Sequence, residues 1–77
     1  MSEADRIRWH CRRGMLELDL VLSAFLERHF ESLQPAGLAA FRALLARPDP
    51  ELLEIVMGHL EPAGPAEREV AALMRAA

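Results

Sequence analysis

Arg12, Arg13, Gly14 and Glu17 are the residues of this chain whose types and spacing could act on another molecule. Glycine lacks a Cβ, so Gly14 can take a positive φ and can let a second surface approach its backbone closely. Arg12 and Arg13 precede it and Glu17 follows it, so the bare backbone is bordered by charges of both signs. Two readings fit this spacing. In one, Gly14 ends a helix and the first-turn acid of the next helix, Glu17, pairs with Arg13. In the other, the turn is a docking element with charged edges. Leu16 and Leu20 flank Glu17 on the side of the helix opposite its apolar stripe, as the apolar centre of a protein interface would. A central helix buried on two sides would also place leucines there.

Other chemistry finds little support. His10, His29 and His59 fall on three different predicted helices, with no metal-ligand spacing among them. His29 is expected at the edge of the core, and His59 at a helix end where an imidazole caps carbonyls or complements the dipole. A single cysteine, Cys11, cannot form an internal disulfide, which points to a reducing compartment. It reads as a packed apolar side chain, the alternative being a thiol whose pKa the nearby basic pair lowers. Ser2, Ser23 and Ser32 have no histidine placed to activate them, and no glycine-rich phosphate loop is present. The chain is therefore expected to be no enzyme, to hold no cofactor stably by itself and to bind no metal.

The frame around these residues is small and helical. Seventy-seven residues at −3 net charge allow one domain, 1–77. Leu and Ala supply 26 residues, against five Val and Ile and no Thr or Tyr, which excludes a sheet. Residues 1–16 carry +2 and residues 17–77 carry −5, a basic cap on an acidic body that disfavours general nucleic-acid binding. The most apolar stretch, Met15 to Leu26, is interrupted by Glu17 and Asp19 and is too short to span a membrane. It is no signal peptide either, so a cytoplasmic location and no membrane insertion are expected.

The fold class expected is all-α, a single compact bundle of five short helices. Ser2 and Asp5 form a variant capping box for a first helix through Ile7, Trp9 and Cys11, stopping before Gly14. A second helix is predicted from about Leu16 to Leu33, burying Leu18, Val21, Leu22, Phe25, Leu26, Phe30 and Leu33. Pro35 opens a third helix that buries Leu38, Phe41, Leu44 and Leu45. Asp49 is predicted to cap a fourth, with Leu52, Leu53, Val56 and Met57 inward, closed by Gly58 and Pro62. A last helix turns Ala66, Val70, Leu73 and Met74 inward, with Glu67 and Glu69 in its first turn.

The block Arg12-Arg13-Gly14-Met15-Leu16-Glu17-Leu18-Asp19-Leu20, followed by Phe25-Leu26-Glu27 and Phe30, resembles the SdhE family of flavinylation factors, small assembly proteins for succinate dehydrogenase. The family signature Arg-Gly-x-x-Glu corresponds to Arg13, Gly14 and Glu17. The resemblance continues through Phe41, Asp49-Pro50-Glu51-Leu52 and Met57. Leu16 departs from the pattern, since relatives often carry a basic residue there. The resemblance implies a five-helix assembly factor that binds the flavoprotein subunit of succinate dehydrogenase, or of fumarate reductase, and promotes its self-catalysed covalent attachment of FAD. Arg13, Gly14 and Glu17 would then face that partner. The further contacts of Arg12, Leu16 and Leu20 are our own inference, as is the expectation of a monomer. A regulatory, antitoxin-like interaction protein is the alternative from another class.

Overall fold

Ser2 opens the first helix through a reciprocal cap. Its Oγ accepts from the Asp5 N–H at 3.1 Å, and the Asp5 carboxylate accepts from the Ser2 N–H at 3.4 Å. The computed structural model describes residues 2–77; Met1 lies outside the described residues. Among the described residues five α-helices follow one another: α1 (Glu3–His10), α2 (Leu16–His29), α3 (Pro35–Leu45), α4 (Asp49–Val56) and α5 (Pro65–Ala76). No strand occurs among the described residues. The all-α, five-helix expectation therefore holds.

Proline and glycine set several of the boundaries. Pro35, Pro50 and Pro65 each stand in the first turn of a helix, where the missing N–H costs nothing. Gly58, at φ +85°, follows α4 in the left-handed conformation. The Gly58 and His59 N–H groups donate back to the Ile55 and Glu54 carbonyls at 3.1 and 2.9 Å, which satisfies the end of the helix. The second helix is shorter than its periodicity predicts. It ends at His29, and a 3-10 turn, Phe30–Ser32, carries the chain to Leu33. There Ser32 Oγ donates to the His29 carbonyl at 2.9 Å, a local bond that competes with another helical turn.

The core runs along α2 through Leu18, Leu22 and Phe25, all fully buried, and meets Phe41 and Leu44 of α3, Leu52 and Ile55 of α4, and Val70 and Met74 of α5. Phe25 and Phe41 stack with ring centroids 4.6 Å apart at 34°, and the His29 ring lies 5.6 Å from Phe25. The α5 helix packs against α2, α3 and α4. Val21, Leu26, Phe30, Leu33, Leu38, Leu53 and Ala66 are partly buried around this centre, as their spacing predicts.

Two expected core residues are not in the core. Met57 keeps 59% of its surface exposed and Leu73 keeps 37%. The buried face of α4 is Leu52, Ile55 and Val56, and Met57 lies past the helix end, turned about 100° from Val56. In α5 the buried set is Val70, Ala71 and Met74, which leaves Leu73 on the rim. Asp49 is also not a cap. Pro48 occupies that position, and Asp49 is the first helical residue, its carboxylate directed to Arg13 instead.

Ion pairs tie the connections together. Arg47 bridges Glu51 and, at 3.1 Å, Glu67, and those two hydrogen bonds raise its pKa further. Arg75 donates to the Ile55 carbonyl at 2.9 Å and pairs with Glu61, holding the α4–α5 connection onto α5.

Candidate functional site

The turn between α1 and α2 is built by one carboxylate. Asp19, in the first turn of α2, reaches back so that Oδ1 accepts from the Arg13 N–H at 2.8 Å and Oδ2 from the Gly14 N–H at 3.3 Å. The acid also complements the positive end of the helix that carries it. Between those two amides the chain reverses, and Gly14 takes φ +78°. A Cβ placed on Gly14 would meet no atom within 4 Å. The glycine therefore answers a backbone requirement and leaves open space above itself, with nothing of its own chain packed there.

The expected site residues separate into two groups. Gly14, Arg12, Leu16, Glu17 and Leu20 are all exposed, Leu16 at 69% and Leu20 at 62%. The reading of α2 as a helix buried on both sides is thus excluded. Glu17 takes no hydrogen-bonding or ion-pair partner among the described residues, so the Arg13–Glu17 pairing is not formed. Arg13 stands apart. Its side chain is only 16% exposed, Nη1 donates to Asp49 Oδ1 at 3.0 Å, and Nη2 donates to the Leu45 carbonyl. Its Nε is buried without a partner among the described residues. Arg13, expected at the contact surface, is engaged inside the molecule.

Two residues of the site were not singled out from the sequence. From the sequence, Asp19 reads as an interruption of an apolar run and Asp49 as a helix cap, and neither reading assigns it a part in the turn. Their partners are backbone amides around a turn and a guanidinium 36 positions away. An acid two residues beyond Glu17, in the first turn after a glycine, was the available signal for Asp19.

Cys11 lies beneath this turn at 4% exposure, and burial pushes its thiol from 9.0 up to about 11, against the lowering effect of the nearby Arg13. The packed-apolar reading holds and the activated-thiol alternative does not. The folded state keeps the proton more tightly than the unfolded chain, so this contribution is fully present below about pH 9 and is lost as pH rises towards 11. The loss totals about 3 kcal/mol. We expect Cys11→Ala to flatten the fall in stability between those pH values relative to the parent, measured by urea unfolding; identical slopes would show that the thiol ionises as freely folded as unfolded. No metal-capable cluster of His, Cys, Asp and Glu occurs among the described residues. His59 is exposed and meets Glu54 Oε2 at 2.7 Å through Nδ1, a pairing that replaces the expected carbonyl cap.

No helix of the described residues is long and apolar enough to cross a membrane. The site as built offers an open glycine, an unpaired carboxylate and two exposed leucines on one short segment, which suits a protein contact and supplies no reacting group.

Comparison with known proteins agrees with the resemblance carried by this segment. The chain is 49% identical over 57 residues to the FAD assembly factor SdhE of Coxiella burnetii, covering 74% of this chain and 70% of that protein. It is 51% identical over 58 residues to the protein of that name from Aliivibrio fischeri, covering 75% and 67%. The protein of the same name from Legionella pneumophila is 50% identical over 60 residues, covering 78% and 76%. These relatives are named as assembly factors, not as enzymes. A family model described as the flavinator of succinate dehydrogenase matches residues 5–77, and the chain belongs to that family.

Proposed function

We propose that this protein binds the flavoprotein subunit of succinate dehydrogenase and promotes that subunit's self-catalysed covalent attachment of FAD. The observation that carries the reading is the Gly14 turn: a positive-φ glycine, open to approach, beside an exposed and unpaired Glu17 and the exposed Leu16 and Leu20. The family match and the names of the relatives support the same partner. A fumarate reductase flavoprotein is a second client of the same chemistry.

The flavoprotein supplies both the flavin and the histidine side chain to which, by the family resemblance, the flavin becomes bonded, so the helper holds no FAD of its own. Its task is to favour the conformer in which the two are aligned. A protein that binds this arrangement better than open ones raises its population in proportion to the difference in affinity. Gly14 lets the turn enter a cleft of the partner, Glu17 accepts hydrogen bonds there, and Leu16 and Leu20 bury apolar area with Arg12 at the edge.

Glu17→Ala is expected to weaken binding about tenfold or more, because a hydrogen bond to a charged group contributes about 1.5–3 kcal/mol. Stability should change by less than about 1 kcal/mol, the scale of a first-turn acid acting on the helix dipole. Titration of the flavoprotein alongside thermal unfolding checks both. A collapse of thermal stability would instead make Glu17 a structural residue. The function itself is tested by producing the flavoprotein subunit with and without this protein, denaturing it, and measuring the flavin fluorescence that stays with the polypeptide. The proposal predicts much more covalent flavin with the protein present, and equal amounts would refute it.

A further inference from the structure

We propose that Arg13 is a positioning residue: with Asp49 and Asp19 it fixes the Gly14 turn in its docking shape from inside the molecule, instead of contacting the partner. This inference rests on the turn's proposed role in docking.

The geometry around Arg13 gives each end of its fork a use. Nη2 donates to the carbonyl of Leu45, the last residue of α3, one of the carbonyls that a helix end leaves without an internal partner. Nη1 pairs at 3.0 Å with the carboxylate of Asp49, the first residue of α4. A cation thus stands at the negative end of one helix and beside an acid at the positive end of the next, both favourable placements. The planar guanidinium serves the two acceptors at once, which the single ammonium of a lysine cannot do in the same geometry. The backbone of the same residue is held by Asp19 at 2.8 Å, and Asp19 also holds Gly14. The turn is therefore pinned through main chain and side chain to α2 and to the α3–α4 corner.

Such anchoring bears directly on docking. A free turn samples many conformations, and apparent affinity falls by the fraction that is competent to bind. Arg13 retains only 16% exposure of its side chain and has both Nη groups engaged. Reaching a partner would require breaking the bonds that shape the turn.

A double-mutant cycle on flavoprotein affinity separates the two roles. Arg13→Ala, Asp49→Ala and the double variant are titrated against the flavoprotein subunit at a temperature where circular dichroism shows each fully folded, so that loss of stability alone cannot move the result. Positioning predicts that Asp49→Ala and Arg13→Ala each weaken binding about tenfold, and that the double variant is no weaker than the poorer single one. Unchanged or tighter binding by Asp49→Ala, with weakening by Arg13→Ala, would mean that Arg13 itself meets the partner and would overturn the proposal. So would full affinity in Arg13→Ala. A parallel measurement needs no partner: amide hydrogen exchange at Gly14 in the free protein should accelerate about tenfold in Asp49→Ala. Unaltered exchange would also overturn the positioning role. If the parent protein failed to bind the flavoprotein at all, the docking reading would fall, and the exchange result would still decide whether Arg13 and Asp49 shape the turn.

Discussion

Gly14→Arg is expected to abolish covalent flavin attachment to a co-produced succinate dehydrogenase flavoprotein while leaving the five helices folded. Two separate costs attend the substitution. At φ +78° any residue with a Cβ is strained, by about 1–2 kcal/mol. Against a total stability of about 5–15 kcal/mol this lowers the melting temperature without unfolding the protein. The second cost falls on docking alone. Because no atom lies within 4 Å of the added Cβ, the arginine side chain starts from open space and can extend into the region the partner is proposed to fill. Gly14→Ala separates the two, since it carries the same backbone strain with only a methyl group. It should melt like Gly14→Arg yet retain much of its flavinylation activity. Circular dichroism gives the first comparison and fluorescence of the denatured flavoprotein the second. Full covalent flavin with Gly14→Arg would show that this turn stays clear of the contact.

The largest effect on stability is expected at Phe25. Its side chain is fully buried, stacked on Phe41 at 4.6 Å, with the His29 ring 5.6 Å away. Truncation to alanine removes that apolar contact and leaves a cavity where α2 meets α3, a change that costs about 3–5 kcal/mol in well-packed cores. A chain of this length has a small core to draw on, so Phe25→Ala should leave a substantial unfolded population at 37 °C. Urea unfolding measures it. A loss below about 1 kcal/mol would mean that the neighbouring Leu22 and Leu44 close over the gap and that the aromatic pair is not central to the fold.

These two predictions rest on features of different legibility. Phe25 lies on a stripe with Leu18 and Leu22 that helical periodicity exposes directly, and prolines at 35, 50 and 65 mark three helix starts through a local backbone rule. Gly14 was legible for the same kind of reason, since its conformation is a property of one residue and its neighbours. Arg13 was not. Its acceptors, the Leu45 carbonyl and the Asp49 carboxylate, lie 32 and 36 positions away, and no spacing rule links a turn to a corner brought beside it by tertiary packing. Glu17, only four residues from Arg13, was the partner that proximity in sequence suggested. Asp49 was recognised by type, as an acid at a helix start, while the bond that occupies it was hidden for the same reason. Met57 and Leu73 were misplaced because α4 and α5 each bury a narrow face, and one residue beyond its edge rotates a side chain into solvent.

Hydroxyl-radical footprinting of the complex shows whether the segment around Gly14 is the face presented to the flavoprotein. Leu16 and Leu20 of α2, and Met57 and Leu60 just beyond α4, are all exposed in the free protein and serve as internal reporters. If that segment is the docking face, oxidation of Leu16 and Leu20 falls sharply when the flavoprotein subunit is bound, while Met57 and Leu60 react as before. Protection of Met57 and Leu60 with Leu16 and Leu20 still fully reactive would contradict it.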